Sequence, residues 1–540
     1  MSLPASSSLR LAAGLFVLSA VAIVAAWARL GAPVEMPQAP LAKGEKLYCV
    51  SYAPFRGSQS PLDPNVRIEP WQIDDDIARL SALTDCVRTY SIELGLDHVV
   101  EVAQRHGMKV LLGLWVSNTP TKTRVEMEKT IALANQFPNT VRAIIVGNEV
   151  LLRGDLGAAD LIADIREVKS RVHVPVTYAD VWEFWLRNRD VASAVDFVTV
   201  HILPYWEDFP IPADQAAFHV EAIRRRVVEA FPGKEILIGE VGWPSHGRMR
   251  EGALPSPSNQ ARVVQDVLAL AKRENFHVNL IEAFDQPWKR YLEGTVGGYW
   301  GFLSADTRAF KFDWGDAVSD HPSWRWQAAG GVLFALLVFG AAVVTGRKHK
   351  VGVVSWTAVA ISAIAGGVFL GWTVENVPIE SLGIGGWVRS LAFTAVAFAA
   401  ALVTAAALVV KIPAPSFAHV LAKRNWHGGG RLAWALGVVL IAVTVLALQV
   451  ALGLVFDPRY KDLPFAPFAA AVVPFFVHGL LVRRGDGKRG AAEIAAAGLL
   501  VPSVGYIVFN ESFANWQALW LCVLLALLAF TLARVRGVPG

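Results

Sequence analysis

Long apolar runs that carry almost no charge dominate the second half of this chain. After Trp326 seven such runs follow one another, at 327–346, 351–374, 390–410, 432–456, 465–482, 494–509 and 515–533. Another uncharged run covers 11–28, near the N-terminus. An apolar helix of about 20 residues crosses the roughly 30 Å of hydrocarbon in a bilayer. The sequence therefore predicts a membrane protein with one N-terminal span and a C-terminal bundle of about seven transmembrane helices over 327–540.

The first apolar run has two interpretations. Ala26-Trp27-Ala28 fits the small-residue pattern of a signal-peptide cleavage site. The run is longer than the usual apolar core of about 7–15 residues in a signal peptide. We therefore expect 1–30 to be a retained membrane anchor rather than a cleaved leader.

Charge is distributed unevenly along the 540 residues. Residues 347–540 hold 16 lysines and arginines but 7 acids, so the net charge of +4 comes from the apolar half. A nucleic-acid-binding protein would instead carry its positive charge on one soluble surface. We therefore predict a lipid bilayer as a partner and no nucleic acid.

The loops between the apolar runs alternate in charge. One set of loops is basic, and its members are Arg347, Lys348, Lys350, Lys411, Lys423, Arg424, Arg431, Arg483, Arg484, Lys488, Arg489, Arg534 and Arg536. The other set holds only Arg389, Arg459 and Lys461. Because Lys and Arg accumulate in cytoplasmic loops, the segment before residue 327 is predicted to lie outside the cytoplasm. The expected location is a multi-pass protein of the cell (inner) membrane, with its soluble domain in the periplasm.

The soluble segment 45–315 alternates short β-branched runs with amphipathic ones. The predicted strands are 47–52, 86–91, 109–116, 141–146, 175–178, 197–202, 236–239 and 278–284. Eight strand–helix units in about 270 residues match the size of a (β/α)8 TIM barrel. A doubly wound open sheet is the alternative, but the first strand is not followed by a Gly-rich phosphate turn. The predicted class is α/β.

Three cysteines are too few for a disulfide scaffold. Cys49 and Cys86 either pair across neighbouring strands in an oxidising compartment or remain buried thiols. The sequence contains no phosphate-binding loop, dinucleotide turn or zinc-ligand spacing, so neither a metal nor a cofactor is predicted.

Two glutamates stand directly after buried strands. The fourth predicted strand leads into Asn148-Glu149, and the seventh leads into Gly239-Glu240. In a (β/α)8 barrel, catalytic groups gather at the carboxyl ends of the strands. A pair of carboxyl groups there is the arrangement that glycosidic bond cleavage requires.

The segments around these glutamates resemble the two signature segments of glycoside hydrolase family 17. The resemblance is carried by 48–52, 87–91, 146–149, 238–245 and 284–289, in the order of that family. It implies a retaining β-1,3-glucan-active barrel, in which Glu149 is the acid/base and Glu240 the nucleophile. It also implies that Asn148 binds the sugar 2-hydroxyl, that Arg88 orients Glu240, and that Tyr52 lines the same mouth.

The chain departs from the family pattern at two positions. At the sixth strand the family usually has Asn-x-Tyr-Pro, whereas this chain has His201-Ile202-Leu203-Pro204. Leu203 therefore replaces the tyrosine expected near the nucleophile, and either Tyr205 or Tyr178 takes its place or no residue does. Gln286 stands where a glutamate is often found. His201 itself is either a proton shuttle or a structural histidine.

Aromatic residues at strand ends are candidates for stacking against sugar rings. These are Trp115, Tyr205, Trp206, Trp243 and Trp288. The alternative for each residue is packing in the core.

The resemblance further implies a bacterial membrane-bound enzyme associated with glucan synthesis, acting on β-glucan oligosaccharides or polysaccharides. The expected activity is transglycosylation that elongates or branches β-1,3/β-1,6-glucan through a glycosyl-enzyme on Glu240. If water resolves that intermediate, the enzyme is an endo-1,3-β-glucanase. A non-catalytic glucan-binding or export subunit is the alternative of another class. A glucan synthase or export machinery is the expected protein partner.

Overall fold

A computed structural model describes residues 5–422, 430–483 and 489–536. The chain forms two compact units. One unit comprises Val34–Gly247 and Gly252–Val318, and the other comprises Met1–Pro33, Arg248–Glu251 and Ser319–Gly540. The second unit begins with helix α1, Ala5–Leu30.

The first unit is a closed barrel of eight parallel strands in sequential order. The strands are β1 Cys49–Ser51, β2 Cys86–Arg88, β3 Lys109–Leu114, β4 Val141–Asn148, β5 Val176–Val181, β6 Val198–His201, β7 Ile236–Val241 and β8 Val278–Leu280. The closing pair β1–β8 is parallel like the others, so the sheet has no free edge. The predicted (β/α)8 barrel is confirmed, and the open sheet is excluded.

Helices connect the strands around the barrel. They are α2 Pro70–Leu80, α3 His98–Arg105, α4 Pro120–Gln136, α5 Val150–Arg153, α6 Ala158–Arg171, α7 Trp182–Arg187, α8 Ala216–Ala230, α9 Pro257–Glu274 and α10 Arg290–Gly297. Short 3-10 helices lie at Arg189–Ser193, Ala213–Gln215 and Pro287–Lys289. The start of α9 illustrates the local sequence logic: the Ser256 hydroxyl accepts the Asn259 N–H, and Pro257 opens the first turn.

Cys49 and Cys86 form a disulfide between β1 and β2. Both residues are fully buried, in a small cluster with Leu111 and Ala143 on neighbouring strands. The sequence allowed either a disulfide or two buried thiols, and the structure has the disulfide. Disulfides persist in oxidising compartments.

The second unit is helical. After α1, its helices are α11 Trp324–Gly346, α12 Val353–Glu380, α13 Gly383–Val410, α14 Phe417–Ala422, α15 Gly430–Phe456, α16 Phe465–Leu481, α17 Ala491–Glu511 and α18 Trp516–Arg534. Among the described residues, seven helices are long and apolar enough to cross a membrane, and α16 is a shorter apolar helix. The predicted N-terminal helix and C-terminal helical bundle are confirmed. Of the basic loop residues, Lys423, Arg424, Arg484 and Lys488 lie outside the described residues.

Several of these helices extend beyond the apolar runs from which they were predicted. The run 351–374 belongs to a helix that continues to Glu380, past Glu375. Hydropathy marks only the apolar part of a helix, whereas backbone hydrogen bonding continues into polar residues.

Candidate active site

Polar residues stand at or next to the carboxyl ends of β2, β4, β6 and β7, at the same rim. Arg88 is the last residue of β2, Asn148 ends β4, His201 ends β6, and Glu240 is the penultimate residue of β7. Glu149 follows β4 directly. Because all eight strands are parallel and the barrel is closed, their carboxyl ends converge on one site.

Glu240 is buried, and one of its oxygens forms an ion pair with Arg88 and accepts a hydrogen bond from Tyr90. Arg88 Nη1 lies 3.2 Å from Glu240 Oε1, and the Tyr90 hydroxyl donates to the same oxygen at 2.9 Å. Burial and the negative charge of Glu240 raise the pKa of Tyr90 well above its ordinary value. Tyr90 therefore keeps its proton and remains a donor, and both groups stabilise negative charge on Glu240.

Arg88 is 1% exposed and connects the two glutamate-bearing strands. Its Nη1 donates to the carbonyl of Gly239 at 2.6 Å, and its Nη2 donates to Asn148 Oδ1 at 2.5 Å. Because the amide oxygen of Asn148 accepts this bond, its NH2 group is the part that is able to donate to a ligand.

Glu149 has a backbone conformation that few residues other than glycine adopt. Its φ is 53°, in the left-handed region, and its N–H donates to Ala179 O at 2.8 Å. Such conformations are costly and cluster at functional sites. The side chain is 22% exposed, and Glu149 Oε1 lies 2.9 Å from His201 Nδ1.

Two opposing influences act on the pKa of Glu149. Burial raises it, but the hydrogen bond with His201 and the positive charge of Arg88 outweigh burial, so the pKa lies below its ordinary value. A ligand that covers the exposed side would exclude water and push the pKa back up.

Gly239 allows this cluster to form. A Cβ at this position would lie 2.4 Å from Thr199 Cγ2 and 3.2 Å from His201 Cδ2. A side chain here would therefore clash with Thr199 and crowd the ring of His201.

Glu149, His201 and Glu240 each offer one ligand atom, and these atoms lie within 4.8 Å of one another. A metal ion fits this donor set poorly, because Arg88 already lies among the three groups. Its Nη1 is 3.2 Å from Glu240 Oε1 and 3.3 Å from His201 Nε2. A fixed guanidinium cation repels a second cation at this distance.

Residues 49–301 match the family model described as the BtgE/BtgC glycoside hydrolase domain. The matched residues span the barrel from its first strand to beyond its last. A glucan 1,3-beta-glucosidase of Candida albicans is 27% identical over 259 residues, which cover 43% of this chain and 83% of that protein. A glucan 1,3-beta-glucosidase of Saccharomyces cerevisiae is 27% identical over 267 residues, covering 44% and 84%. A solved glycoside hydrolase family 17 beta-1,3-glucanosyltransferase from Rhizomucor miehei is 29% identical, covers 49% of this chain and 95% of its own, and has a TM-score of 0.44.

Three aromatic residues expected at the mouth of this glycoside hydrolase barrel are buried, which corrects that expectation. Tyr52 is 1% exposed, and its hydroxyl donates to Asp76 at 3.1 Å. Tyr205 and Trp243 are fully buried, with ring centroids 5.9 Å apart, and Trp243 donates to Leu254 O at 3.0 Å. All three rings belong to the hydrophobic core cluster of the barrel.

Trp115 and Trp288 remain accessible. Trp115 is 36% exposed, and Arg153 lies over its ring at 4.3 Å. Arg153 also donates to Asn148 O and, at 2.9 Å, to Val116 O. Trp115 is thereby connected to the turn that carries the acid/base candidate.

Trp288 is partly buried, and its Nε1 donates to Gln286 Oε1 at 2.8 Å. Gln286 is fully buried and donates to Ala53 O at 2.9 Å. Gln286, which stands where the family often has a glutamate, therefore holds the ring of Trp288 in place.

Tyr90 is the contact of Glu240 that sequence reasoning did not single out. The question raised by Leu203 was whether Tyr205 or Tyr178 reaches the nucleophile. Tyr205 is buried among other aromatic rings, and the Tyr178 hydroxyl bonds Asp180 and Leu151 N. Tyr90 follows Arg88 by two residues. Because alternate residues of an extended segment face the same side, this spacing was the signal that could have identified Tyr90.

Proposed function

We propose that the barrel is a retaining glycosidase in which Glu240 is the nucleophile and Glu149 the acid/base. The observation that carries this proposal is the separation of the two carboxylates, whose ligand oxygens lie within 4.8 Å of each other. Retaining enzymes place the two carboxyl groups about 5–5.5 Å apart, whereas inverting enzymes need about 6.5–9.5 Å to admit water.

In the first step, Glu240 attacks the anomeric carbon and the glycosidic C–O bond breaks. The proton on Glu149 passes to the departing oxygen. In the second step, Glu149 takes a proton from an acceptor hydroxyl, which displaces Glu240 from the anomeric carbon. Asn148 donates to the sugar 2-hydroxyl.

The proposed substrate is β-1,3-glucan. The relatives that match residues of this barrel are glucan 1,3-beta-glucosidases. The same carboxylate pair serves hydrolysis and transfer, because the acceptor in the second step is either water or a sugar hydroxyl.

We favour transfer to a second glucan chain. The exposed Trp115 offers an apolar face for an acceptor sugar, and Arg153 joins it to Asn148 beside the acid/base. The product would be elongated or branched β-glucan, and hydrolysis to shorter chains is the alternative outcome.

The barrel is proposed to work outside the cytoplasm. The Cys49–Cys86 disulfide supports an oxidising compartment. Arg347, Lys348 and Lys350 follow α11, which supports a cytoplasmic location for that end of the helix. The barrel sequence precedes α11 and would then lie on the opposite, extracytoplasmic side.

Helix α1 is proposed to remain in the mature protein. Ile23 and Trp27 are fully buried in the core of the helical unit. A leader destined for cleavage has no need of such packing. The intact mass of protein purified from membranes should include α1, and an N-terminus at residue 29 would contradict this proposal.

The activity is tested with the full-length protein in detergent micelles and reducing-end-labelled laminari-oligosaccharides. Products longer than the substrate, identified by mass spectrometry, would support transfer. Exclusively shorter products at every acceptor concentration would make the enzyme a hydrolase. No turnover at all would favour a glucan-binding or export subunit.

The nucleophile is tested by trapping with a 2-deoxy-2-fluoro laminaribiosyl fluoride. The label should fall on Glu240, and Glu240→Gln should abolish labelling. Glu235→Gln is the matched control, because Glu235 is exposed and immediately precedes the same strand. Full labelling of the Glu240→Gln variant would overturn the assignment.

A further inference from the structure

His201 is fully buried at the end of β6 and lies between the two glutamates. Its Nδ1 is 2.9 Å from Glu149 Oε1, whereas its Nε2 is 3.6 Å from Glu240 Oε1. The first distance is that of a hydrogen bond, and the second is too long for one. The histidine is therefore bonded to the acid/base and only adjacent to the nucleophile.

Arg88 indicates which nitrogen of the ring carries the hydrogen. Its Nη1 and Nη2 lie 3.3 and 3.4 Å from His201 Nε2. A guanidinium has only donors, so the group that faces it best is a lone pair. Nε2 is then the acceptor, and Nδ1 is the nitrogen that donates to Glu149 Oε1.

Because this bond uses Oε1, Oε2 of Glu149 is the oxygen that exchanges a proton with the substrate. With Oε1 occupied by a donor, a proton on the carboxyl group belongs on Oε2. When that proton leaves, the same Nδ1–H bond stabilises the new carboxylate. Gly239, which lacks a side chain, leaves room for the ring of His201 at Cδ2.

We propose that His201 is a positioning residue for the acid/base, which binds Oε1 of Glu149 and thereby directs Oε2 and its proton at the glycosidic oxygen. The inference rests on the proposed function of Glu149. Neither proton transfer to His201 nor contact between His201 and the substrate is required.

Two substitutions of His201 distinguish the role of Nδ1 from that of Nε2. In His201→Asn, the amide NH2 is as many bonds from the backbone as Nδ1, so a donor to Glu149 is retained. In His201→Gln, the amide lies one bond further out, at the place of Nε2, so the donor to Glu149 is lost. Both residues are neutral and polar, which makes them a matched pair.

Two substrates separate positioning of the acid from a general disturbance of the site. A laminari-oligosaccharide needs protonation of its leaving oxygen. The dinitrophenolate of 2,4-dinitrophenyl β-laminaribioside leaves without protonation. Acid catalysis contributes about 10²–10⁴-fold. We expect His201→Gln to lower kcat/KM about 100-fold on the oligosaccharide but less than about 5-fold on the dinitrophenyl substrate. His201→Asn should stay within about 5-fold of the wild type on both.

A double-mutant measurement separates an effect that acts through Glu149 from a general effect of the substitution on the site. In a Glu149→Ala background, His201→Asn and His201→Gln should turn over the dinitrophenyl substrate equally, because a positioning residue has no effect once its target is absent. Unequal turnover there would overturn the proposal.

The inference also fails if His201→Gln lowers turnover of both substrates equally, or if His201→Asn loses as much as His201→Gln. These outcomes differ from failure of the proposed function. That failure would appear in the wild type, as neither oligosaccharide turnover nor trapping on Glu240.

Discussion

The hydroxyl of Tyr90 donates to Glu240 Oε1 at 2.9 Å, from a residue two positions beyond Arg88. It also lies 3.1 Å from Ser51 Oγ, at the end of β1. A single oxygen of Glu240 therefore accepts a hydrogen bond from Tyr90 and forms an ion pair with Arg88. In the proposed mechanism, the other oxygen attacks the anomeric carbon.

We expect Tyr90→Phe to reduce kcat/KM on laminari-oligosaccharides about 10- to 100-fold. The variant loses a hydrogen bond to a charged group, which is worth about 1.5–3 kcal/mol. Trapping by the fluorinated sugar should slow by a similar factor, because both reactions use the same nucleophile. Tyr291→Phe is the control, since Tyr291 is 68% exposed. Unchanged trapping kinetics in Tyr90→Phe would show that the bond does not support the nucleophile.

Trp115→Ala is expected to lower the ratio of transfer to hydrolysis about 10-fold while hydrolysis itself changes less. Removing one stacking aromatic face weakens the binding of an acceptor sugar but not the attack by water. Labelled oligosaccharides at increasing acceptor concentration would measure the ratio. Phe218→Ala removes another exposed aromatic, 74% exposed on α8, and should leave the ratio unchanged. If the ratio of transfer to hydrolysis stays constant in both variants, the acceptor sugar does not bind at Trp115.

The sequence predicts the barrel well because alternating apolar strands and amphipathic helices report directly on burial. The same reasoning singles out Glu149 and Glu240, since ionisable residues directly after buried strands have few structural roles. Arg88 was suggested only by the family resemblance. The family resemblance implies that Tyr52 lines the mouth, and its strand-end position makes Trp243 a candidate there, but both residues are buried. A residue at a strand end either faces the open mouth of the barrel or packs against neighbouring loops. Which of the two occurs depends on the conformation of those loops, which no simple sequence periodicity reveals.

The pairing of Cys49 with Cys86 was left open for a related reason. Two cysteines on neighbouring strands pair only if the strand register brings them together. Here β1 and β2 align Val50 with Val87, so the two cysteines are directly opposite. Register depends on closure of the whole barrel, which a single sequence segment does not encode.

Glu126 on α4 makes the stability of the protein pH-dependent. It is 3% exposed and accepts the backbone N–H groups of Ile92 and Trp115, each at 3.1 Å. Burial raises its pKa from 4.5 to about 7. Because the folded-state pKa exceeds the unfolded one, its stabilising contribution is complete below the unfolded value and is lost as pH rises through about 7.

Glu126→Gln keeps the acceptor oxygen and removes this titration. Relative to the wild type, its free energy of unfolding should increase by about 3 kcal/mol between roughly pH 4 and pH 9. Thermal unfolding of the full-length protein in detergent at several pH values would measure this change. Glu128→Gln is the control on the same helix, because Arg171 lowers the pKa of Glu128. A difference between the wild type and Glu126→Gln that does not change with pH would contradict the prediction.

Close packing of α11 on α12 should make Gly331 intolerant of a side chain. A Cβ on Gly331 would lie 2.4 Å from Gly367 O and 2.9 Å from Ile23 Cγ2 of α1. Small residues let membrane helices approach closely, and lipid provides no hydrophobic force to restore the contact. Gly331→Val should therefore lower the free energy of unfolding of the helical unit by about 1–3 kcal/mol. The neighbouring Gly330→Val is the matched control, because a Cβ there meets nothing within 4 Å. Equal thermal stability of the two variants in detergent would show that α1, α11 and α12 do not pack in this way.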